Sequence, residues 1–216
     1  HDEVRGIPCH VVRALAAHDD LEFALGLGIT TVALSFVQRP AGLDEAHETI
    51  GDRATIIAKI EKPQAVDHLE EIIDAFDGIM VARGDLGVEL PLEAVPIVQK
   101  RAVELCRRMA KPVIVATHML ESMINSPMPT RAEVTDVSNA IFEETDAIML
   151  SGETTVGKYP LKCIEVFDKI ARRIERSGDV IGDDDAAVHP AGASKRDGKI
   201  ALALLLVLRD HISKQV

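Results

Sequence analysis

Apolar residues along the chain fall into short continuous runs, each followed by a polar turn and then by a stretch with apolar positions three and four apart. The runs are "TTVALSF" at 30–36, "ATIIAKI" at 54–60, "GIMVA" at 78–82, "PVIVAT" at 112–117 and "AIMLS" at 147–151. They lack the in-and-out alternation of a half-exposed sheet, which predicts five parallel strands covered on both faces. Helical spacing predicts helices near 16–27, 43–50, 63–76, 92–110, 130–144 and 160–177. Thr130 followed by Glu133 has capping-box spacing, and Pro63 and Pro160 stand where a first-turn proline is tolerated. Gly78 and the pair Lys111–Pro112 close helices ahead of strands.

This is a βα-repeat chain, and repeats of this kind build either an open doubly wound sheet or part of an eight-stranded barrel. The strand ends decide between them. Ser35, Lys59 with Glu61, Arg83 with Asp85, Thr117 with His118, and Ser151 with Glu153 close the five strands in turn. Functional side chains at every strand end are the layout of a TIM-type barrel, whereas an open sheet concentrates them at one switch point. No GxGxxG follows the first strand. The expectation is a partial (β/α) barrel over 1–177, a flexible linker over 178–198 rich in Gly, Ala and Asp, and a lone C-terminal helix over 199–216. Five strands do not close an eight-stranded barrel, so an open edge or assembly into a homo-oligomer is expected.

Composition narrows the function classes. A net charge of −11 argues against nucleic acid and against an anionic membrane surface as partner. The longest apolar run, "IALALLLVL" at 200–208, is about half of what a membrane-spanning helix needs. Three cysteines, Cys9, Cys106 and Cys163, at wide spacing without a CxxC pair, fit buried thiols, and with no signal-like leader they predict a cytoplasmic protein. The triplet Asp183–Asp185 reads as an exposed charge run rather than a metal site.

The strand ends carry the candidate chemistry. Lys59 and Glu61 are two apart, so on a strand they point to one side, where they form either a plain ion pair or part of a site. "ARGDLG" at 82–87 adds Asp85 from the next strand end, and two carboxylates with water and substrate oxygens suit Mg²⁺ or Mn²⁺. Gly84 and Gly87 predict a tight turn whose amides face an anion, which explains why a buried strand stops on a charged, glycine-hinged stretch. The competing reading of the same stretch as an adhesive Arg-Gly-Asp tripeptide sits poorly at the end of an apolar strand. Thr117 offers a hydroxyl to a substrate carboxylate or a proton-delivering water, although a threonine closing a strand is commonly structural. His118 is either a metal or acid–base group or a satisfied histidine. Arg83, Ser151 and Glu153 can orient water and neighbouring side chains.

Four strings, "IIAKIEKPQAV", "GIMVARGDLGVELPLEAVPIVQK", "KPVIVATHMLESMINSPMPTRAEVTDVSNAI" and "DAIMLSGETTVGKYP", resemble in order and spacing the catalytic barrel of the pyruvate kinase family, over roughly 20–177. The resemblance implies phosphoryl transfer between phosphoenolpyruvate and ADP, giving pyruvate and ATP, with Mg²⁺ (or Mn²⁺) and usually K⁺. By position it implies Glu61 and Asp85 as Mg²⁺ ligands and the amides of Gly84 and Asp85 as holders of the substrate carboxylate. Thr117 would bond that carboxylate near the carbon to be protonated, and Lys59 would neutralise the transferring phosphoryl group. Ser151 and Glu153 would belong to the supporting hydrogen-bond network.

Position 118 departs from the family, which usually has glutamine there. The family's first barrel strands carry the K⁺ ligands and a substrate-binding arginine, and an inserted lid domain closes over the nucleotide; the resemblance begins after these, so the expectation is either a fragment of a full kinase or a truncated relative that assembles as an oligomer. Met119, Met123 and Met128 fall in a segment that resembles the family's subunit contact. Two other readings remain: a Mg²⁺-dependent enolpyruvate lyase or decarboxylase, which needs no nucleotide, and a non-catalytic relative with no metal-dependent affinity. Lys59 favours phosphoryl chemistry over the lyase.

Overall fold

A computed structural model describes residues 18–177 and 201–204 of the chain. After α1 (His18–Gly26), the expected alternation follows: β1 (Thr31–Leu34), α2 (Gly42–Ile50), β2 (Thr55–Ile60), α3 (Pro63–Asp67) with α4 (Leu69–Ala75), and β3 (Gly78–Ala82). Then come α5 (Arg83–Glu89), α6 (Val95–Met109), β4 (Val113–Ala116), α7 (Arg131–Phe142), β5 (Ala147–Leu150), α8 (Gly152–Thr155), α9 (Pro160–Glu175) and β6 (Ala201–Leu204). Each strand pairs in parallel with the one before it, giving the order β1-β2-β3-β4-β5-β6. No strand reverses the winding, as a doubly wound sheet requires, so the sheet is a partial (β/α) barrel. Among the described residues no pairing joins β6 to β1.

Side-chain parity gives the sheet two different faces. Val32, Ile56, Ala58, Ile60, Ile79, Val81, Val113, Val115, Ile148 and Leu150 face the helices and pack with Ile72, Phe76, Ala102, Cys106, Val137 and Phe167. The alternate positions Ala33, Ile57, Met80, Ile114, Ala116, Ala147 and Met149 form a smaller cluster of strand residues alone, the inner face of the barrel wall. Ser35, Lys59, Glu61 and Ser151 continue that inner parity past the strand ends. The fold thereby aims Ser35, Lys59 and Glu61 at one place.

Two expectations are corrected. The C-terminal helix is not what the described residues of that segment form: Ala201–Leu204 is a strand paired with Ala147–Leu150 of β5. A continuous apolar run of this length satisfies a buried strand as well as a buried helix, and the β5 edge supplies unpaired backbone groups that a strand satisfies. The second concerns "ARGDLG", which is the start of α5 rather than a tight turn, and neither of its glycines has positive φ. Gly84 is needed for space: a Cβ there would stand 3.0 Å from His118 Cε1 and 3.2 Å from Thr117 Oγ1. The linker, the Asp183–Asp185 triplet and Cys9 lie outside the described residues; Cys106 and Cys163 are buried and are not joined in a disulfide.

The predicted capping box at α7 forms, and it reaches further than a local cap. Glu133 takes the Thr130 amide at 2.7 Å, and also the Ser122 amide and hydroxyl, both at 2.6 Å. Burial pushes the Glu133 carboxyl up, but the bonds from Ser122 and Thr130 outweigh it and hold the group below its ordinary range. The loop that follows β4 is thus tied to the start of α7. Because the folded carboxyl titrates below the unfolded one, its contribution is present above the unfolded pKa and is lost as pH falls through the folded value. Glu133→Gln is expected to lose about 1 kcal/mol in urea unfolding at neutral pH, with the difference from the parent chain closing as the pH is lowered through the acidic range.

Candidate active site at the strand ends

The site begins with a buried carboxylate. Glu61, directly after β2, is 2% exposed. Its Oε1 accepts the Phe36 amide at 2.6 Å, and Lys59 Nζ stands 2.7 Å from Oε2. Oε2 is thus buried against that ammonium and has no other donor. Lys59 donates to Ser35 Oγ at 2.9 Å, and Asp85 Oδ2 lies 3.9 Å from the same nitrogen. Asp85 is the solvent-facing member, with its side chain 63% exposed. Four residues from the ends of β1, β2 and β3 therefore surround one point.

A negative field spreads outward from this point. The Lys62 ammonium titrates above its usual range, chiefly through its hydrogen bond to Glu89; burial opposes this, and the charges of Glu89, Glu61 and Asp85 add to the rise. Lys62 Nζ also stands 5.6 Å from the centre of the Phe36 ring. Phe36 itself has φ 62°, a conformation that costs a non-glycine residue on the order of 1–3 kcal/mol. Its return is the amide aimed at Glu61.

A second group forms where β3 and β4 end. Thr117 and His118 both have positive φ, 69° and 53°. For a β-branched residue such as Thr117 this is a genuine outlier, and a guanidinium holds it. Arg83 donates to the Thr117 carbonyl at 2.8 Å and the His118 carbonyl at 3.2 Å, and pairs with Asp136 of α7 at 2.7 Å. Gln99 of α6 joins the same guanidinium to Glu143. Thr117 Oγ1 accepts the Gly84 amide at 2.6 Å and donates to the Ala116 carbonyl. His118 is exposed, with its ring over Gly84. Since Gly84 precedes Asp85, this group borders the first.

The end of β5 contributes a brace. Glu153 is fully buried and accepts the Leu120 amide at 3.0 Å and the Ser151 amide at 2.9 Å. It joins β5 to the loop that carries Thr117 and His118. Burial pushes the Cys163 thiol up, with the nearby Glu153 charge adding to the shift. Ser151 and Glu153 bear on the site through that loop.

The structure thus brings Lys59, Glu61 and Asp85 together, joins Arg83, Gly84 and Thr117 beside them, and sets Ser151 and Glu153 behind. Sequence reasoning missed Phe36, Gln99 and Asp136. Asp136 is 53 residues from its partner Arg83, and nothing in the sequence links the two positions. Among the described residues there is no cluster of three or more His, Cys, Asp or Glu able to hold a metal. The Glu61–Asp85 pair nevertheless suits a cation that takes few protein ligands, because a buried oxygen with no donor besides Lys59 is the kind of atom a hard cation satisfies.

Comparison with known proteins bears on the same residues. Residues 11–164 match the family model described as pyruvate kinase, barrel domain. The chain is 58% identical over 162 residues to pyruvate kinase of Mycobacterium tuberculosis, covering 74% of this chain and 34% of that protein. It is 55% identical over 158 residues to that of Agrobacterium vitis, covering 73% and 33%. With pyruvate kinase of Corynebacterium glutamicum it shares 55% identity over 174 residues, covering 78% and 37%. The chain spans about a third of the length of the curated relatives it matches.

The guanidinium fork of Arg83 serves acceptors on three elements, a geometry that a lysine ammonium does not reproduce. Arg83→Lys is therefore expected to lose about 1–3 kcal/mol in urea unfolding, and Asp136→Asn less, because the Thr117 and His118 carbonyls keep their donor.

Proposed function

The chain belongs to the pyruvate kinase family, and from that premise we propose that its strand ends carry phosphoryl transfer between phosphoenolpyruvate and ADP, giving pyruvate and ATP. The observation that carries the reading is Glu61 Oε2, a buried carboxylate oxygen whose single charged neighbour, the Lys59 ammonium, is shared with Asp85. Glu61 and Asp85 would hold Mg²⁺ or Mn²⁺. Such a cation supplies charge neutralisation for substrate oxygens.

The remaining steps belong to the chain's own side chains and amides. Lys59 lies within reach of both carboxylates on a buried stem, so its ammonium can turn toward a transferring phosphoryl group and stabilise charge there without reorganisation of water. Gly84 and Asp85 sit in the first turn of α5, where amides have no intrahelical acceptor and suit a substrate carboxylate. A carboxylate at Gly84 competes with Thr117 Oγ1 for that amide, leaving the threonine hydroxyl beside the substrate. Arg83 and Glu153 keep the Thr117 turn in place while this happens. K⁺ is expected from the family, as are assembly into a homo-oligomer and a cytoplasmic setting for a glycolytic enzyme.

Oxalate, a stable mimic of enolpyruvate, tests the reading by calorimetry on this chain. Binding is expected only with Mg²⁺ present and is expected to weaken at least tenfold in Glu61→Gln, the order of one lost charge-assisted contact. Oxalate binding that ignores both Mg²⁺ and the substitution would overturn the assignment of Glu61. Where binding is found, pyruvate formation from phosphoenolpyruvate and ADP is the assay that follows.

A further inference from the structure

We propose that the ion pair between Lys62 and Glu89 is a positioning clasp for cation binding, which turns the face of α5 that carries Asp85 toward Glu61; this rests on the reading of Glu61 and Asp85 as the metal ligands. Each member of the pair is coupled to one of those ligands. Lys62 follows Glu61 directly in the chain, and Glu89 stands four residues after Asp85 on α5, so the two carboxylates of α5 share one helix face. Lys62 Nζ donates to Glu89 Oε1 at 2.6 Å. A single bond thus joins the residue beside one ligand to the helix turn that follows the other.

The helix depends on ties of this kind. With seven residues α5 is too short to hold itself in water, and Ala82 before it offers no side-chain cap. Leu86 is buried beneath it against Val95, Val98 and Val66, which fixes the side of α5 that faces the core. The polar bonds fix its ends. At the start, Arg83 and Gly84 are tied to the turn after β4. The bond from Glu89 runs the other way, to the end of β2. Asp85 lies between these ties, and its exposed carboxylate takes its place near Lys59 from them. Lys62 is itself confined, because its ammonium stands 5.6 Å from the centre of the Phe36 ring, whose own amide bonds Glu61 Oε1.

Position and charge predict opposite signs for one substitution. The probe is Mn²⁺ alone, without substrate, followed by electron paramagnetic resonance, with thermal unfolding as the check on folding. Lys62→Met removes a positive charge close to the site, so charge alone predicts tighter Mn²⁺ binding. The clasp predicts binding about two- to fivefold weaker, the scale of a partly exposed ion pair. Glu89→Asp keeps the charge but draws the carboxylate back, and a similar loss is expected. Lys62→Arg still reaches Glu89 and is expected to keep the parent affinity. Lys62→Met combined with Glu89→Asp is expected to bind no more weakly than either alone.

Tighter or unchanged binding in Lys62→Met overturns the proposal, as does unchanged binding in Glu89→Asp. Additive losses in the combined variant overturn it too, since the two residues would then act separately. Glu61→Gln tests the ligand reading alongside. Binding lost there but intact in Lys62→Met and Glu89→Asp removes the clasp and leaves the ligands standing, whereas Mn²⁺ binding that is absent in the parent or indifferent to Glu61→Gln removes both. If Lys62→Met fails to fold, Glu89→Asp and Lys62→Arg decide the question: loss in the first alone supports the proposal, and any other pattern removes it.

Discussion

Placing a carboxylate at the end of a buried strand is the constraint around which this molecule is arranged. Glu61 has almost no access to water, and a charge so placed costs several kcal/mol unless compensated. The compensation comes from the Phe36 amide after β1 and the Lys59 ammonium within β2, while the Asp85 carboxylate on the far side of that ammonium adds charge of the same sign. At Oε2 it rests on that ammonium alone. A protein that needed only stability would be better served by an apolar residue at this position, so a buried ion pair kept at the strand ends points to a ligand.

Backbone strain follows the same geography. Phe36, Thr117 and His118 take left-handed conformations at the ends of β1 and β4, beside the residues with candidate chemistry. Arg83 and Glu153 counter the strain at β4, one from α5 and one from the end of β5. Their hydrogen bonds tie the Thr117 turn to neighbouring elements of the barrel wall on both sides. The helices outside the sheet supply the apolar packing of the wall.

Much of this was legible in the sequence because parallel strands covered on both faces leave a plain mark, continuous apolar runs followed by polar ends. Parity alone placed Lys59 and Glu61 side by side. Two failures have distinct causes. "IALALLLVL" carries no polar face to betray a helix or a strand, and the neighbouring β5 edge settled the matter for Ala201–Leu204. In "ARGDLG" the glycine suggested backbone freedom, whereas Gly84 is small because Thr117 and His118 press against it. Contacts such as Arg83 with Asp136 and Glu61 with the Phe36 amide were not legible, since they depend on backbone direction at positions whose residue types announce nothing.

The account stands on where a cation sits. A crystal structure of this chain grown with Mn²⁺ and oxalate, using the anomalous signal of manganese, tests it most directly. The account predicts a manganese peak bound by Glu61 Oε2 and Asp85, with the Lys59 ammonium displaced from between them. Manganese bound elsewhere, or Lys59 still seated against Glu61 beside an ordered oxalate, would contradict it.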